Sequence, residues 1–316
     1  MKRITRSLSV IAALALGLTG LFGGSVGSVS AAAQPVLQAK AAGLSTSSTK
    51  AAVQPAPHTK AAWRADIKNV RQPGTGCYSA SYPALTWHAI TCAPAGKWPT
   101  SPARVSRPAT YAPADVGNGT DSVANVTGGS ITTATGTFSD VSSDITEQGQ
   151  IDGTGSQVTN AFTLQLNTQP YIASADPDGC HGTSHPECQE WQQFIYDYDD
   201  GSGYPSILMQ YWLLDYDASC PSDWLTSGTS CYVDSASSPI LGGLPASGLG
   251  DIALTASAVS GGNDSVTLSS SATAYSAVGP DSKLDLAGNW TSSEWNVFGD
   301  DNYAEAEFGD KRRWSQ

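Results

Sequence analysis

The amino-acid sequence predicts an all-β protein, an antiparallel β-sandwich with disulfide-stapled loops. Three observations carry that expectation. Beyond Gly117, short runs rich in β-branched and aromatic residues alternate in polarity and are separated by Gly, Asn, Asp or Ser. No amphipathic helix longer than two turns can be traced. Six cysteines in 316 residues, with 32 glycines and only 14% charged residues, fit an exported domain of short strands and turns.

The N-terminal region divides by composition. Basic Met1 to Arg6, an apolar Ser9 to Phe22 stretch and the small-x-small sites Val29-Ser30-Ala31 and Ala31-Ala32-Ala33 read as a secretory signal peptide over residues 1–33. No later stretch reaches the roughly 20 apolar residues that cross a bilayer. No cysteine precedes Cys77, so the signal offers no lipidation site. The expected location is secreted and extracellular. Residues 34–74 carry Lys40, Lys50, Lys60, Arg64, Lys68 and Arg71 against Asp66 alone, in a background of Ala, Gln, Ser, Thr and Pro. They are expected to be a disordered basic leader, either a pro-segment held partly by charge or a wall-spanning linker.

Residues 75–316 read as a single β-sandwich domain. They hold seven basic residues and 27 acidic ones, and no Lys or Arg lies between Arg107 and Lys283. A pI of about 4.5 excludes nucleic acid as a partner, because neutralising phosphates needs clustered cations. Self-repulsion among these carboxylates should ease on acidification, which implies acid adaptation.

Strands are expected over Ile131–Phe138, Thr159–Leu166, Trp191–Tyr198, Ile207–Tyr216, Ile252–Val259, Ser265–Ser269 and Trp295–Phe298. Asp199-Asp200-Gly201-Ser202-Gly203 is a hairpin signal that makes the third and fourth neighbours. Two stacked sheets accommodate long strands such as 205–216 better than a small barrel does, so a jelly-roll or concanavalin-like sandwich is expected. Residues 75–110 are expected to form a stapled N-terminal lobe. Six cysteines allow fifteen connectivities. The sequential pairs Cys77–Cys92, Cys180–Cys188 and Cys220–Cys231 are expected because each closes a short polar loop, and no CxxC knuckle favours a metal.

One constellation could carry hydrolytic chemistry. Gln165 shares a strand face with Thr163 and Asn167, Gln193 and Gln210 occupy the paired strands, and Glu294 precedes Trp295. A carboxylate can activate water while an amide N–H donates to a developing oxyanion. The segments Phe162–Asn167, Trp191–Tyr196, Leu208–Tyr216, Cys220–Trp224 and Ser293–Asp300 resemble a bacterial secreted β-rich family. More distantly, the order of a Gln-bearing strand, a Tyr-Trp strand, a Cys-Pro turn and a late Glu segment is similar to neprosin-type glutamic peptidases. That resemblance implies a β-sandwich enzyme exported with a pro-segment. Glu294 would be the general base and Gln165 the oxyanion donor, with Gln193, Gln210, Trp212 and Trp295 contacting substrate. The chain lacks the Gly-Trp that follows the strand glutamine in that family.

Other groupings compete. Glu305 and Glu307 are spaced for a paired-carboxylate glycosidase, although Ala306 stands where glucanases of concanavalin type carry Asp. His181, His185 and Glu187 lie in a Gly- and Pro-broken loop unsuited to zinc. Asp197, Asp199 and Asp200 suggest at most a calcium turn, and Leu208 occupies the position where an EF-hand has Glu. Trp87, Trp191, Tyr211, Trp212, Trp224, Trp290 and Trp295 recur on strands or their ends, so exposed rings could stack sugars in a non-catalytic carbohydrate- or wall-binding module. No GxSxG elbow supports a serine triad. The reading therefore implies no cofactor and no metal. It implies a monomer whose partner is an extracellular polypeptide or polysaccharide.

Overall fold

Strands with alternating apolar residues must bury one face, and this chain does so by stacking two antiparallel sheets. The computed structural model describes residues 5–11, 59–94, 122–139, 141–150, 156–173, 179–180, 187–198, 204–216, 219–299 and 306–310. The first sheet is ordered β1 (Thr5–Ile11), β5 (Thr133–Ser139), β14 (Ala253–Ser257), β15 (Asn263–Ser269), β16 (Thr273–Pro280), β2 (Gly76–Ser81) and β3 (His88–Ile90). The second is ordered β11 (Leu225–Ser227), β12 (Ser230–Asp234), β10 (Ser206–Leu214), β9 (Gln189–Asp197), β8 (Phe162–Thr168), β17 (Ser292–Gly299) and β4 (Ser122–Asn125). Within it β13 (Ser238–Pro239) also pairs with β10. A small third sheet joins β18 (Glu307–Asp310), β6 (Ile145–Gly149) and β7 (Val158–Thr159).

The core lies between the two large sheets. Leu164, Leu166, Phe194, Met209 and Trp295 from one meet Leu254, Ala256, Val266, Leu268 and Ala277 from the other. Close approach dictates glycine at two points. A Cβ on Gly136 would overlap the Trp295 indole, and one on Gly279 would overlap the Tyr211 hydroxyl. The third sheet adds Phe308, which packs on Phe162 at 6.1 Å between ring centroids. On the outer face of the first sheet, Thr135 and Thr255 hydroxyls meet at 3.1 Å, as do those of Thr267 and Ser276, so β-branched and small polar residues tie neighbouring strands.

The expected sandwich is present, and the expected strands recur with shifts of a few residues at their ends. The antiparallel pairing of β9 with β10 is as the hairpin signal predicts, while residues 199–203 lie outside the described residues. The three disulfides join the sequential cysteines, with Cα–Cα separations of 5.3, 5.4 and 5.6 Å. Disulfides persist in oxidising compartments, so the protein is non-cytoplasmic. No described helix is long and apolar enough to cross a membrane. Residues 76–81, expected in a stapled lobe of the same domain, are β2, paired with β16 inside the first sheet. Thr5–Ile11 is β1, an edge strand paired with β5.

The leader also differs from expectation at its C-terminal end. Helix α1 (Lys60–Ile67) starts at Thr59, whose hydroxyl accepts from Ala62 N at 3.1 Å as an N-cap. Trp63 and Ile67, one turn apart, are fully buried against Tyr78, Ala80, Trp87, Ala274 and Val278. Two indoles lock this contact: Trp63 Nε1 donates to Ala84 O at 2.7 Å, and Trp87 Nε1 donates to Val70 O at 2.7 Å. Gln72 Nε2 donates to Ser276 Oγ at 2.8 Å. Arg64 donates to the backbone carbonyl of Asp251. Residues 59–74 thus cover the first sheet, so the expected disorder does not hold for them; residues 34–58 lie outside the described residues.

A polar bridge crosses the core. Asp264 on β15 accepts from Gln192 Nε2 on β9 at 3.0 Å and is hydrogen-bonded to Asp281. Asp281 in turn accepts from the backbone N–H of Ala287 at 2.9 Å and of Gly261 at 3.3 Å. Burial, and then the charge of Asp281, push Asp264 well above the usual carboxylate range, so the folded chain holds this proton to higher pH than the unfolded chain does. A raised folded pKa gives stability that is full below the unfolded pKa and lost as pH rises through the folded one. We therefore expect the melting temperature to fall from pH 4 toward alkaline pH, and Asp264→Asn to flatten that fall. A wild-type melting temperature that rises steadily over the same range would contradict this. Separately, Trp63→Ala should cost about 3–5 kcal/mol in urea unfolding; an unchanged midpoint would show that α1 is dispensable to the fold.

Candidate functional site

Residues of opposite polarity alternate along β8, so Phe162, Leu164 and Leu166 enter the core while Thr163, Gln165 and Asn167 share the other face of the second sheet. Strand register then assembles the site. Gln165 stands opposite Asn296 and Asn167 opposite Glu294 on β17. Across the other edge of β8, Asn167 stands opposite Gln193 of β9, and Gln193 opposite Gln210 of β10. Gln210 stands opposite Asp234 of β12. Glu294 is therefore the diagonal neighbour of Gln165, about 7–8 Å away at the backbone and within side-chain reach.

Apart from the half-buried Asp234, these side chains are at most 2% exposed, and together they form a connected network. Gln165 Oε1 accepts from Gln193 Nε2 at 2.9 Å and from Asn167 Nδ2 at 3.2 Å, and Gln165 Nε2 donates to Thr163 Oγ1 at 3.0 Å. Asn167 Nδ2 also donates to Asn296 Oδ1 at 3.0 Å. Trp212 Nε1 donates to both Gln193 Oε1, at 2.8 Å, and Gln210 Oε1, at 3.0 Å. Gln210 Nε2 donates to Asp234 Oδ1 at 2.7 Å. Leaving such a buried group unmade costs about 1–3 kcal/mol, so the network fixes side-chain orientation strongly. Beside it, Trp212 stacks on Tyr232 at 5.1 Å and lies 6.1 Å from Trp191.

Of the residues expected to act together, Glu294, Gln165, Gln193, Gln210 and Trp212 share this face. Trp295 does not. It follows Glu294 directly in the strand, so it points into the core, where its ring lies on Gly136 and 5.3 Å from Phe138. Asn296 and Asp234 were missed. Asn296 was legible by alternation from Glu294, whereas Asp234, at the end of a five-residue strand, reads as a turn residue.

The competing groupings fare differently. Glu307 is exposed on the small third sheet, paired in register with Gln148, while Glu305 lies outside the described residues. Asp197 lies on the same face as Thr163, and Glu187 is exposed; His181, His185, Asp199 and Asp200 lie outside the described residues. Among the described residues no cluster of three metal-ligating side chains occurs. The seven tryptophans among the described residues are all buried, so none offers an exposed ring to a sugar. Comparison of the chain with protein-family models, with curated proteins and with solved structures found no match.

Burial pushes the Asp234 carboxyl up to about 7, opposed by the hydrogen bond from Gln210. Because the folded pKa is raised, the carboxyl costs stability as pH climbs from about 4 through 7. Asp234→Asn should therefore gain stability relative to wild type at pH 8 and not at pH 4. Urea midpoints at the two pH values measure this, and an equal difference at both would contradict the assignment.

Proposed function

We propose that the protein is an exported endopeptidase of glutamic type, acting on polypeptides at acid pH. The observation that carries this reading is the diagonal placement of Glu294 and Gln165 on adjacent strands of one polar sheet face. Glu294 would take a proton from a water molecule as the water attacks the scissile carbonyl. An N–H of Gln165 would donate to the oxyanion, and Glu294 would return the proton to the leaving amine. One hydrogen of Gln165 Nε2 engages Thr163, which leaves the second for this task. The raised Asp264 and Asp234 pKa values suit an acid environment.

Both reacting side chains are buried in the full chain, so on this reading the protein is latent until the face is uncovered, as a pro-segment requires. The rival reading is a sugar-stacking module; its Trp191 and Trp212 are buried on the same face as Gln165 and Glu294, so assay separates the two. The test is cleavage of a denatured protein at pH 3 to 5 after acid incubation, beside a polysaccharide pull-down. Glu294→Gln should lower kcat by about 100-fold or more, and Gln165→Ala by about 100- to 1000-fold. Cleavage that survives Glu294→Gln would sink the proposal, and polysaccharide retention without cleavage would favour the rival.

A further inference from the structure

Asn167 lies between Glu294 and Gln165. It stands directly opposite Glu294 across the β8–β17 ladder and two residues along β8 from Gln165. Residues opposed in this way carry their Cβ atoms about 4.5–5.5 Å apart, so both side chains can reach one small molecule. The Asn167 amide is held in one direction. Its nitrogen carries two hydrogens, and Nδ2 donates to Gln165 Oε1 at 3.2 Å and to Asn296 Oδ1 at 3.0 Å. Turning the amide over would set its oxygen against those two oxygens, and Gln165 Oε1 already accepts from Gln193. The Asn167 oxygen is therefore carried on the other branch, and there the protein gives it no hydrogen-bond partner. The other amide oxygens of the network differ: Gln165 Oε1, Gln193 Oε1, Gln210 Oε1 and Asn296 Oδ1 each receive an N–H. Because Asn167 is fully buried, an acceptor without a donor costs stability, and it marks a place for a donor from outside the chain.

We propose that Asn167 Oδ1 and Glu294 together hold one water molecule, and that this water is the nucleophile of the peptidase reading, on which its catalytic role rests. The water donates one hydrogen to Asn167 Oδ1 and the other to a carboxylate oxygen of Glu294. With both hydrogens engaged, a lone pair faces the scissile carbonyl. As the new C–O bond forms, the carbonyl electron pair moves onto its oxygen and the hydrogen on the Glu294 side passes to the carboxylate. The hydrogen on the Asn167 side stays with the attacking oxygen. Glu294 then gives its proton to the amine nitrogen as the C–N bond breaks and the carbonyl re-forms. Asn167 neither gains nor loses a proton; it aims the attacking atom.

Two measurements test this. A crystal structure of the full chain, at a resolution that shows ordered water, should place one water within about 2.6–3.2 Å of both Asn167 Oδ1 and a Glu294 carboxylate oxygen. A dry Oδ1, or a water there that does not reach Glu294, would overturn the proposal. In the peptidase assay, Asn167→Leu removes the oxygen and should lower kcat about 100-fold with KM unchanged. Asn167→Asp keeps an acceptor oxygen in place of Oδ1 and should recover at least about tenfold of that loss. Equal losses in the two variants would mean that the oxygen plays no part. A raised KM with kcat unchanged would give Oδ1 a substrate N–H in place of the water. Either result overturns the proposal. Should Asn167→Leu fail to fold, the crystal structure of the wild type decides. If wild type does not cleave although the water lies on both side chains, the peptidase reading fails and takes the nucleophile's role with it, while the water site stands.

Discussion

The register of β8 between β9 and β17 is the constraint on which the rest of this structure depends. The strand carries two incompatible residue sets, Phe162, Leu164 and Leu166 on one side and Thr163, Gln165 and Asn167 on the other. A slip by one residue would put amides against Leu254 and Val266 and leucines among the glutamines. Because both sets are buried, both faces oppose the slip. Core packing and site geometry are therefore specified by the same hydrogen-bond ladder, and neither can drift without the other.

The two faces are stabilised by different physics. Between the sheets, apolar burial dominates, and aromatic side chains are accommodated by removing side chains opposite them, as Gly136 does for Trp295. On the polar face, amide hydrogen bonds running from strand to strand replace apolar packing, although Asn167 Oδ1 finds no partner there. Burial raises the affinity of one carboxyl for its proton in each place, Asp264 between the sheets and Asp234 beside the amides. Others are held by backbone donors, as Glu190 is by the N–H groups of Ala173 and Cys180.

Much of the sandwich was legible because alternation is a strong signal where large apolar residues supply it, as in β8, β9 and β10. The central strand β16 was not read, because Thr273-Ala274-Tyr275-Ser276-Ala277-Val278-Gly279-Pro280 is built of small residues whose placement only the opposing sheet explains. Helix α1 was also unread: it spans eight residues, and its one apolar turn looks like composition noise until Trp63 meets Trp87. For the site, side-chain type found Gln165, Gln193, Gln210 and Glu294, and pairing of the strands made them neighbours. The assignment of Trp295 beside Glu294 failed on the same period-two rule that succeeded elsewhere.

Helix α1 has a consequence for the order of events in folding. Gln72 and Ser276 are 204 residues apart in the chain, and Trp63 rests on Ala274 and Val278, so the first helix emerges early and finds its seat only when the chain is nearly complete. The same holds for β2, whose partner is β16. Pairings this remote make folding slow, because the intervening loop must close before any contact rewards it. The first sheet therefore cannot be completed until β16 has joined it, and α1 and β2 wait for the same event.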